Sequence, residues 1–348
     1  MRWEIRCSRS AGMAVQLRRN TQDDVRTPIP VGSTRFMAQV RADMRARGYA
    51  FPTERTYLHW IKRFIIFNQR RHPAELGKAE IESFLNHLAV HATVAPSTQR
   101  TALNALMYLY TKYYGREPES LSFSYAKPTR RLPTVVTHEE AKDIIGHMSG
   151  TPRLMVELLY GSGLRLQECL TLRIKDIDFS LNTITVRQGK GDKDRVTLLP
   201  SSVSDRLRVQ IQKTLALHQQ DLADGHGEVY MPHALERKYP NAARSPIWQF
   251  LFPSTRLGPD PRSGIIRRHH LHNTALRKHI KTAVAKTAIH KPVKTHTFRH
   301  SFATRLLQKG YDIRTIQKLL GHEDVTTTEI YTHVLNRGAM GVISPIDD

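Results

Sequence analysis

Cysteine is scarce in this sequence. Cys7 and Cys169 are the two present in 348 residues, too few for a disulfide framework or a multi-cysteine zinc site, and they suit a reducing interior. No run reaches the roughly 18 apolar residues of a transmembrane helix. The amino-terminal stretch lacks a signal peptide's central apolar block, because Ser8, Arg9, Ser10 and Gly12 interrupt it. No internal repeat is visible, and no carboxylate cluster spaced to hold magnesium. Acidic residues are in deficit as well. The 31 Asp and Glu face 53 Lys and Arg, a formal net charge of +22.

Hydrophobic residues make up 40% of the chain, enough for packed cores, so global disorder is excluded. The length exceeds one ordinary core and predicts two domains. The cationic excess predicts a polyanionic partner, since each Lys or Arg that meets a phosphate releases condensed counterions. That excess is spread along the chain, so both domains are expected to touch the polyanion. Residues 1–30 read as a basic amino-terminal extension. It is a mobile arm, a solvated tail, or an upstream extension of the reading frame that leaves Met1 and Met13 as alternative starts.

Residues 31–117 read as a helical domain. Phe36, Met37, Val40 and Met44 recur at three- and four-residue steps. Thr53 opens a second helix through Tyr57, Trp60, Ile61, Phe64 and Ile65 to about His72–Pro73. Ile81, Phe84, Leu85 and Leu88 mark a third, and Leu103, Leu106, Met107, Leu109 and Tyr110 a fourth, stopped by Gly115. Trp60 and Phe64 are expected in the core. Arg55, Lys62, Arg63, Arg70 and Arg71 either follow a duplex backbone or form a solvated face. Residues 118–132, with Pro118, Lys127, Pro128, Arg130 and Arg131, read as an extended basic linker.

Residues 133–348 read as mostly helical with a small antiparallel sheet. Thr137 and Glu140 form a capping box. Cys169 sits among apolar neighbours as inert core. Thr183–Val186 and Arg195–Leu198 alternate like strands across the glycine-rich turn from Gly189 to Asp194. Ser201 starts a helix to about Gln220. Further helices are expected from Arg267 to Ala285, Thr295 to Lys309, Asp312 to Leu320 and Asp324 to Thr332, with Gly310 as a left-handed stop.

Five features carry chemistry together. Arg165 follows a Gly-Ser-Gly break, and Lys190 lies between two glycines at the hairpin tip. His296 and Arg299 share one helix face. His322 follows Leu319-Leu320-Gly321, and Tyr331 lies nine residues on. Two guanidinium forks can clamp one phosphate and stabilise the charge spreading over its oxygens in phosphoryl transfer. A tyrosine hydroxyl can attack in line to form a covalent ester. Its ordinary pKa of about 10 calls for a base or strongly positive surroundings. Histidine supplies the base, and a lysine on the tip protonates the leaving oxygen. The phosphotyrosine conserves the broken bond, so neither cofactor nor metal is expected. Plain structural roles stay open for the same residues: His296 as a helix cap, His322 as a helix-end histidine, Tyr331 as core.

Gly163-Leu-Arg165-Leu-Gln-Glu168, Gly189-Lys190-Gly191, His296-Thr-Phe-Arg299-His300, Leu319-Leu-Gly-His322 and Tyr331 resemble, in order and spacing, the boxes of the tyrosine recombinases. The resemblance spans residues 33 to 348. It implies a mainly α fold: a helical, SAM-like core-binding domain and an α+β catalytic domain, closing as a C-shaped clamp on DNA. It also implies roles. Arg165 and Arg299 bind the scissile phosphate, Lys190 is general acid to the 5′ oxygen, and His296 is general base or proton relay. His322 hydrogen-bonds the phosphate, and Tyr331 is the nucleophile that forms a 3′-phosphotyrosyl link.

A stretch at about 227–253, with Met231-Pro-His-Ala-Leu-Glu-Arg-Lys-Tyr-Pro-Asn241 and Ser245-Pro-Ile-Trp-Gln-Phe-Leu-Phe-Pro253, is more than a compact catalytic domain needs. It resembles the additional segment of integron integrases, as do Arg267-Arg-His-His270 and Gly341-Val-Ile-Ser-Pro345. That subfamily recombines folded single-stranded attC hairpins with duplex attI sites. The resemblance assigns Trp248, Pro261, His269 and His270 to extrahelical bases, where an aromatic face gains about 1–3 kcal/mol per stacked base. Trp248 could instead pack the insert onto the core, and His269 and His270 could join His272 at zinc or form a solvated helix start. A homotetramer on DNA, monomeric when free, in the bacterial cytoplasm at the nucleoid is the implied setting. A Xer-like recombinase on duplex sites and a non-catalytic architectural DNA-binding protein are the alternatives.

Overall fold

A computed structural model describes residues 29–30, 32–116, 133–187, 194–231, 235–260 and 263–329. The chain divides into two compact units, one within Asp23–Arg131 and one from Leu132 onward. The architecture is mainly helical with small antiparallel sheets, as the sequence predicts. No helix among the described residues is long and apolar enough to cross a membrane.

The first unit contains α1 (Phe36–Ala46), α2 (Phe51–Phe67), α3 (Lys78–Val90) and α4 (Pro96–Met107). Their apolar stripes meet in one core, with Met44, Ile61, Phe64, Phe84, Leu85 and Leu106 fully buried and Trp60 6% exposed. Helix α2 stops short of the expected His72–Pro73 boundary. Gln69 and Arg70 take positive φ values of 56° and 63°, which breaks the hydrogen-bond ladder first. Beyond α4 the helix widens into a π turn over Tyr108–Tyr113. The widening lets three consecutive residues, Tyr108, Leu109 and Tyr110, all be buried. Both phenols find partners: Tyr108 donates to Asp43 at 2.6 Å and Tyr110 to the Pro73 carbonyl at 3.0 Å. Arg55, Lys62, Arg70 and Arg71 are exposed, whereas Arg63 lies over the Trp60 ring at 4.7 Å.

The second unit contains α5 (His138–Gly146), α6 (Gly150–Gly161), α7 (Leu166–Thr171), β1 (Ile177–Asp178), β2 (Thr183–Val186), β3 (Arg195–Leu198), α8 (Ser204–Ala223) and α9 (Leu235–Lys238). There follow β4 (Pro253–Pro259), β5 (Ile266–His270), α10 (Asn273–Val284), α11 (Thr295–Gln308), α12 (Ile313–Leu320) and α13 (Thr326–Glu329). Helix α5 opens on the predicted box: Glu140 N–H donates to Thr137 Oγ1 at 3.1 Å, and Thr137 N–H to Glu140 Oε2 at 2.7 Å. Replacing Thr137 with Ala is expected to cost about 1 kcal/mol, read as a lower urea midpoint at unchanged m-value. Cys169 is fully buried, and that burial pushes its thiol pKa up, as suits an inert core residue. Gly310 has φ of 84° where α11 ends.

The described residues form two small sheets, one of three strands and one of two, rather than one. Strands β1, β2 and β3 form an antiparallel sheet in that order, with Thr183 opposite Leu198 and Val186 opposite Arg195. Strand β4 pairs antiparallel with β5. The helix expected from Arg267 is therefore corrected: Arg267–His270 is strand, and α10 begins at Asn273. Alternation explains the difference. Arg267 and His269 face inward, 2% and 7% exposed, at a spacing of two that a helix would not bury on one face.

Helix α8 anchors the additional segment through a buried polar stripe. Gln210 and Thr214 donate to the Leu251 carbonyl at 3.0 and 3.1 Å. His218 Nε2 lies 2.9 Å from the Arg244 carbonyl. Asp221 accepts two bonds from Arg268 of β5, at 2.5 and 2.6 Å. The segment has its own apolar cluster of Val229, Met231, Ala243 and Phe250, against which Trp248 packs.

Candidate active site

The turn between α6 and α7 places Arg165. Gly163 has φ of 65°, and a Cβ there would lie 2.5 Å from the Phe302 ring. The tight turn sets Arg165 at the amino terminus of α7, where its N–H donates to Glu168 Oε2 at 2.7 Å. The Arg165 guanidinium donates to Glu168 Oε1 at 2.6 Å and to the Gly321 carbonyl at 3.3 Å. From α11, Arg299 donates to the carbonyls of Gly163 at 2.5 Å and Leu320 at 2.6 Å, and lies 3.8 Å from Glu168 Oε2. The two arginines singled out in sequence thus meet around one carboxylate.

Sequence reasoning missed the other members of this cluster. One of them is Glu168. It is the hub, because Arg195 of β3 also donates to both of its oxygens, at 2.7 and 2.6 Å. Arg195 further donates to the Leu319 carbonyl at 3.0 Å. A signal existed for each. Glu168 stands at capping-box distance from Arg165, and Arg195 shares a strand face with buried Thr197. Burial would raise the Glu168 carboxyl, but hydrogen bonds and charge from Arg195, with Arg165, hold it down to about 2. Three guanidinium groups against one carboxylate leave a net positive surface suited to a phosphate.

The histidines stand around the same cations. His322 follows the left-handed Gly321 that ends α12, and its Nδ1 lies 2.9 Å from Thr328 Oγ1. Burial and then Arg299 and Arg165 push its pKa down to about 3. His300 is lowered to about 4 by burial, His296 and Arg299. The protein around His296 lowers it too, together with Arg299 and Arg165. Burial is the first cause of that lowering, and repulsion from the two arginines adds to it. His296 does not cap its helix, since the Lys294 N–H donates to Thr297 Oγ1 there. Lys190, Pro261 and Tyr331 lie outside the described residues.

A second group lies on the far end of the α7 segment. Arg173 is buried, donates to the Trp248 and Tyr230 carbonyls at 2.6 and 2.8 Å, and lies over the Phe250 ring at 4.6 Å. Phe250 touches His269 and His270 at ring distances of 5.2 and 5.4 Å, and these two are 4.2 Å apart. His270 Nε2 lies 3.4 Å from Gln167 Nε2 of α7. His272 takes a separate role, accepting the Thr274 N–H at the start of α10.

The phage integrase family pattern matches residues 134–337, and the phage integrase amino-terminal SAM-like domain matches residues 36–119. This chain belongs to the phage integrase family. It is a tyrosine recombinase, one of the enzymes that cleave and rejoin DNA through a tyrosine intermediate. It is 47% identical to an integrase/recombinase from Escherichia coli, over 91% of this chain and 95% of that protein. It is 30% identical to tyrosine recombinase XerD from Lacticaseibacillus casei, over 85% of this chain and 92% of that one. Among solved structures, XerH recombinase bound to a palindromic difH substrate aligns with a TM-score of 0.56. That likeness, at 20% identity over 87% of this chain and 82% of that one, shows the fold.

The recombinase should lose stability as pH falls below about 6.5, the ordinary histidine value. His322 and His300 have depressed folded pKa values, so the unfolded chain binds the extra protons first. Urea denaturation between pH 7 and 5 checks this, and His322→Asn should flatten the slope.

Proposed function

We propose that this recombinase is an integron integrase, joining folded single-stranded attC hairpins to duplex attI or to other attC sites. Arg165 and Arg299 hold the scissile phosphate, His322 hydrogen-bonds it, and His296 relays the proton. Lys190 protonates the 5′ oxygen as Tyr331 attacks to form the 3′-phosphotyrosine. No cofactor enters this scheme. Trp248, Pro261, His269 and His270 receive extrahelical bases. The enzyme assembles as a homotetramer on DNA from free monomers, in a bacterial cytoplasm at the nucleoid.

One observation carries the finer part of this reading. The aromatic group of Trp248, Phe250, His269 and His270 is joined to the helix that bears Glu168 through Gln167 and His270. Of these, Trp248 and His270 are partly exposed, and planar groups at the surface can offer faces to unpaired bases. The XerD likeness favours a second reading, a Xer-like enzyme on duplex sites.

The discriminating experiment is strand-resolved recombination. A folded bottom-strand attC oligonucleotide should recombine with attI at least tenfold faster than its complement. Trp248→Ala should erase most of that preference. Equal rates on both strands, or preference for perfect duplex, would favour the Xer-like reading. A point variant is required because deleting the whole segment would remove fully buried Leu251 and Phe252 from the core.

A further inference from the structure

Lys175 is an unusual lysine. Its ammonium sits 2.9 Å from the centroid of the Trp248 indole. It is half-buried, and among the described residues it makes no hydrogen bond or ion pair. The neighbouring Asp176 carboxylate is committed elsewhere. It accepts the Arg173 N–H at 2.9 Å and Arg187 Nε at 2.8 Å. Arg187 also reaches Asp194 at 3.5 Å. Among the described residues, the contact of the lysine's ammonium is with the π face of the indole, while the Asp176 and Asp194 carboxylates favour its charge without bonding to it.

The other cation over this indole cannot take its place. Arg173 is buried and spends both terminal nitrogens on backbone carbonyls. Lys175 has a flexible stem and a compact charge, the form in which lysine binds phosphate as a point charge. Burial, with repulsion from Arg187 and Arg173, lowers its pKa to about 8. An arriving anion would relieve that repulsion. A cation's hold on an aromatic ring is weak enough for a phosphate contact to replace it.

We propose that Lys175 and Trp248 form one nucleotide subsite, in which an unstacked base takes the indole face and the ammonium moves onto that nucleotide's phosphate. This rests on the reading of Trp248 as a platform for extrahelical bases. It adds a backbone contact that fixes where along the strand the base must leave the stack. The ligand class is a single-stranded nucleotide with an unpaired base. The subsite hangs on the same short segment as Arg165 and Glu168, so an occupied indole and the phosphate-binding arginines share one support.

The test uses the full-length chain and folded attC hairpins carrying 2-aminopurine at each unpaired position in turn. Wild type should quench one position, and Trp248→Ala should lose that quench. Lys175→Met should weaken hairpin binding and lower the slope of log K against log salt by about 0.7, the value for one phosphate contact on a single strand. Lys175→Arg should restore the slope. An unchanged slope in Lys175→Met, or tighter binding, overturns the proposal, because the lysine then only packs on the ring. A slope change of the same size on fully paired duplex also overturns it, assigning Lys175 to duplex backbone while leaving the folded-strand reading intact. Wild type that quenches no position removes the folded-strand reading and the subsite together.

Discussion

Tyr331→Phe should abolish the gel-stable covalent adduct with a nicked attachment-site substrate while leaving DNA affinity unchanged. The ring keeps its size and apolar surface and loses the oxygen proposed to attack phosphorus. The loss should fall to background, on the scale of the roughly 10⁶-fold effects that follow removal of a covalent nucleophile. Binding persists because affinity comes from phosphate contacts spread over a chain of net charge +22. Denaturing gels for the adduct and native gels for the complex read the two properties separately. An undiminished adduct would remove Tyr331 from the reaction.

Glu168→Gln should cripple the same assay by a different route. The carboxylate touches Arg165 and Arg195 directly and lies 3.8 Å from Arg299, with its side chain 8% exposed. Losing its charge leaves three crowded guanidinium groups without their counter-ion. Breaking a buried ion pair costs about 3–5 kcal/mol, and a displacement of about 1 Å at the phosphate site can cost about 10²-fold in rate. The pH dependence separates this from a simple packing defect. The folded pKa of about 2 lies below the ordinary value of 4.5, so the stabilisation is fully present above 4.5 and fades as pH falls toward 2. Wild type and variant should differ most in urea midpoint near pH 7, with the gap narrowing steadily as pH falls from 4.5 toward 2. A gap that does not change with pH would show that Glu168 contributes shape and not charge.

Several elements were legible from local pattern alone. The capping box at Thr137 and Glu140 and the strands Thr183–Val186 and Arg195–Leu198 stand as read. Each depends on neighbours a few residues apart, which periodicity reports. The β5 strand was not legible. Arg267-Arg-His-His270 offers no apolar alternation, and its pattern makes sense only once Asp260 and Glu236 receive Arg267 while Asp221 receives Arg268. The faces of β3 were hidden for a related reason. Alternation by itself would turn Val196 and Leu198 inward, yet they are 54% and 44% exposed. Arg195 and Thr197 face in, because Glu168 and the Ser162 carbonyl hold them there.

The order and spacing of the arginine, lysine, histidine and tyrosine boxes carry the family, and the charge balance carries the need for an anionic partner. Both are properties of a linear string, since they ask only which residues occur and in what sequence. Which carboxylate gathers the arginines, and which cation rests on the Trp248 ring, was decided by the tertiary structure. Those pairings join residues far apart in the chain, such as Glu168 with Arg299 and Lys175 with Trp248. Electrostatic contacts act over a few ångströms of space and carry no periodic trace along the chain, so folding has to create them before they can be read.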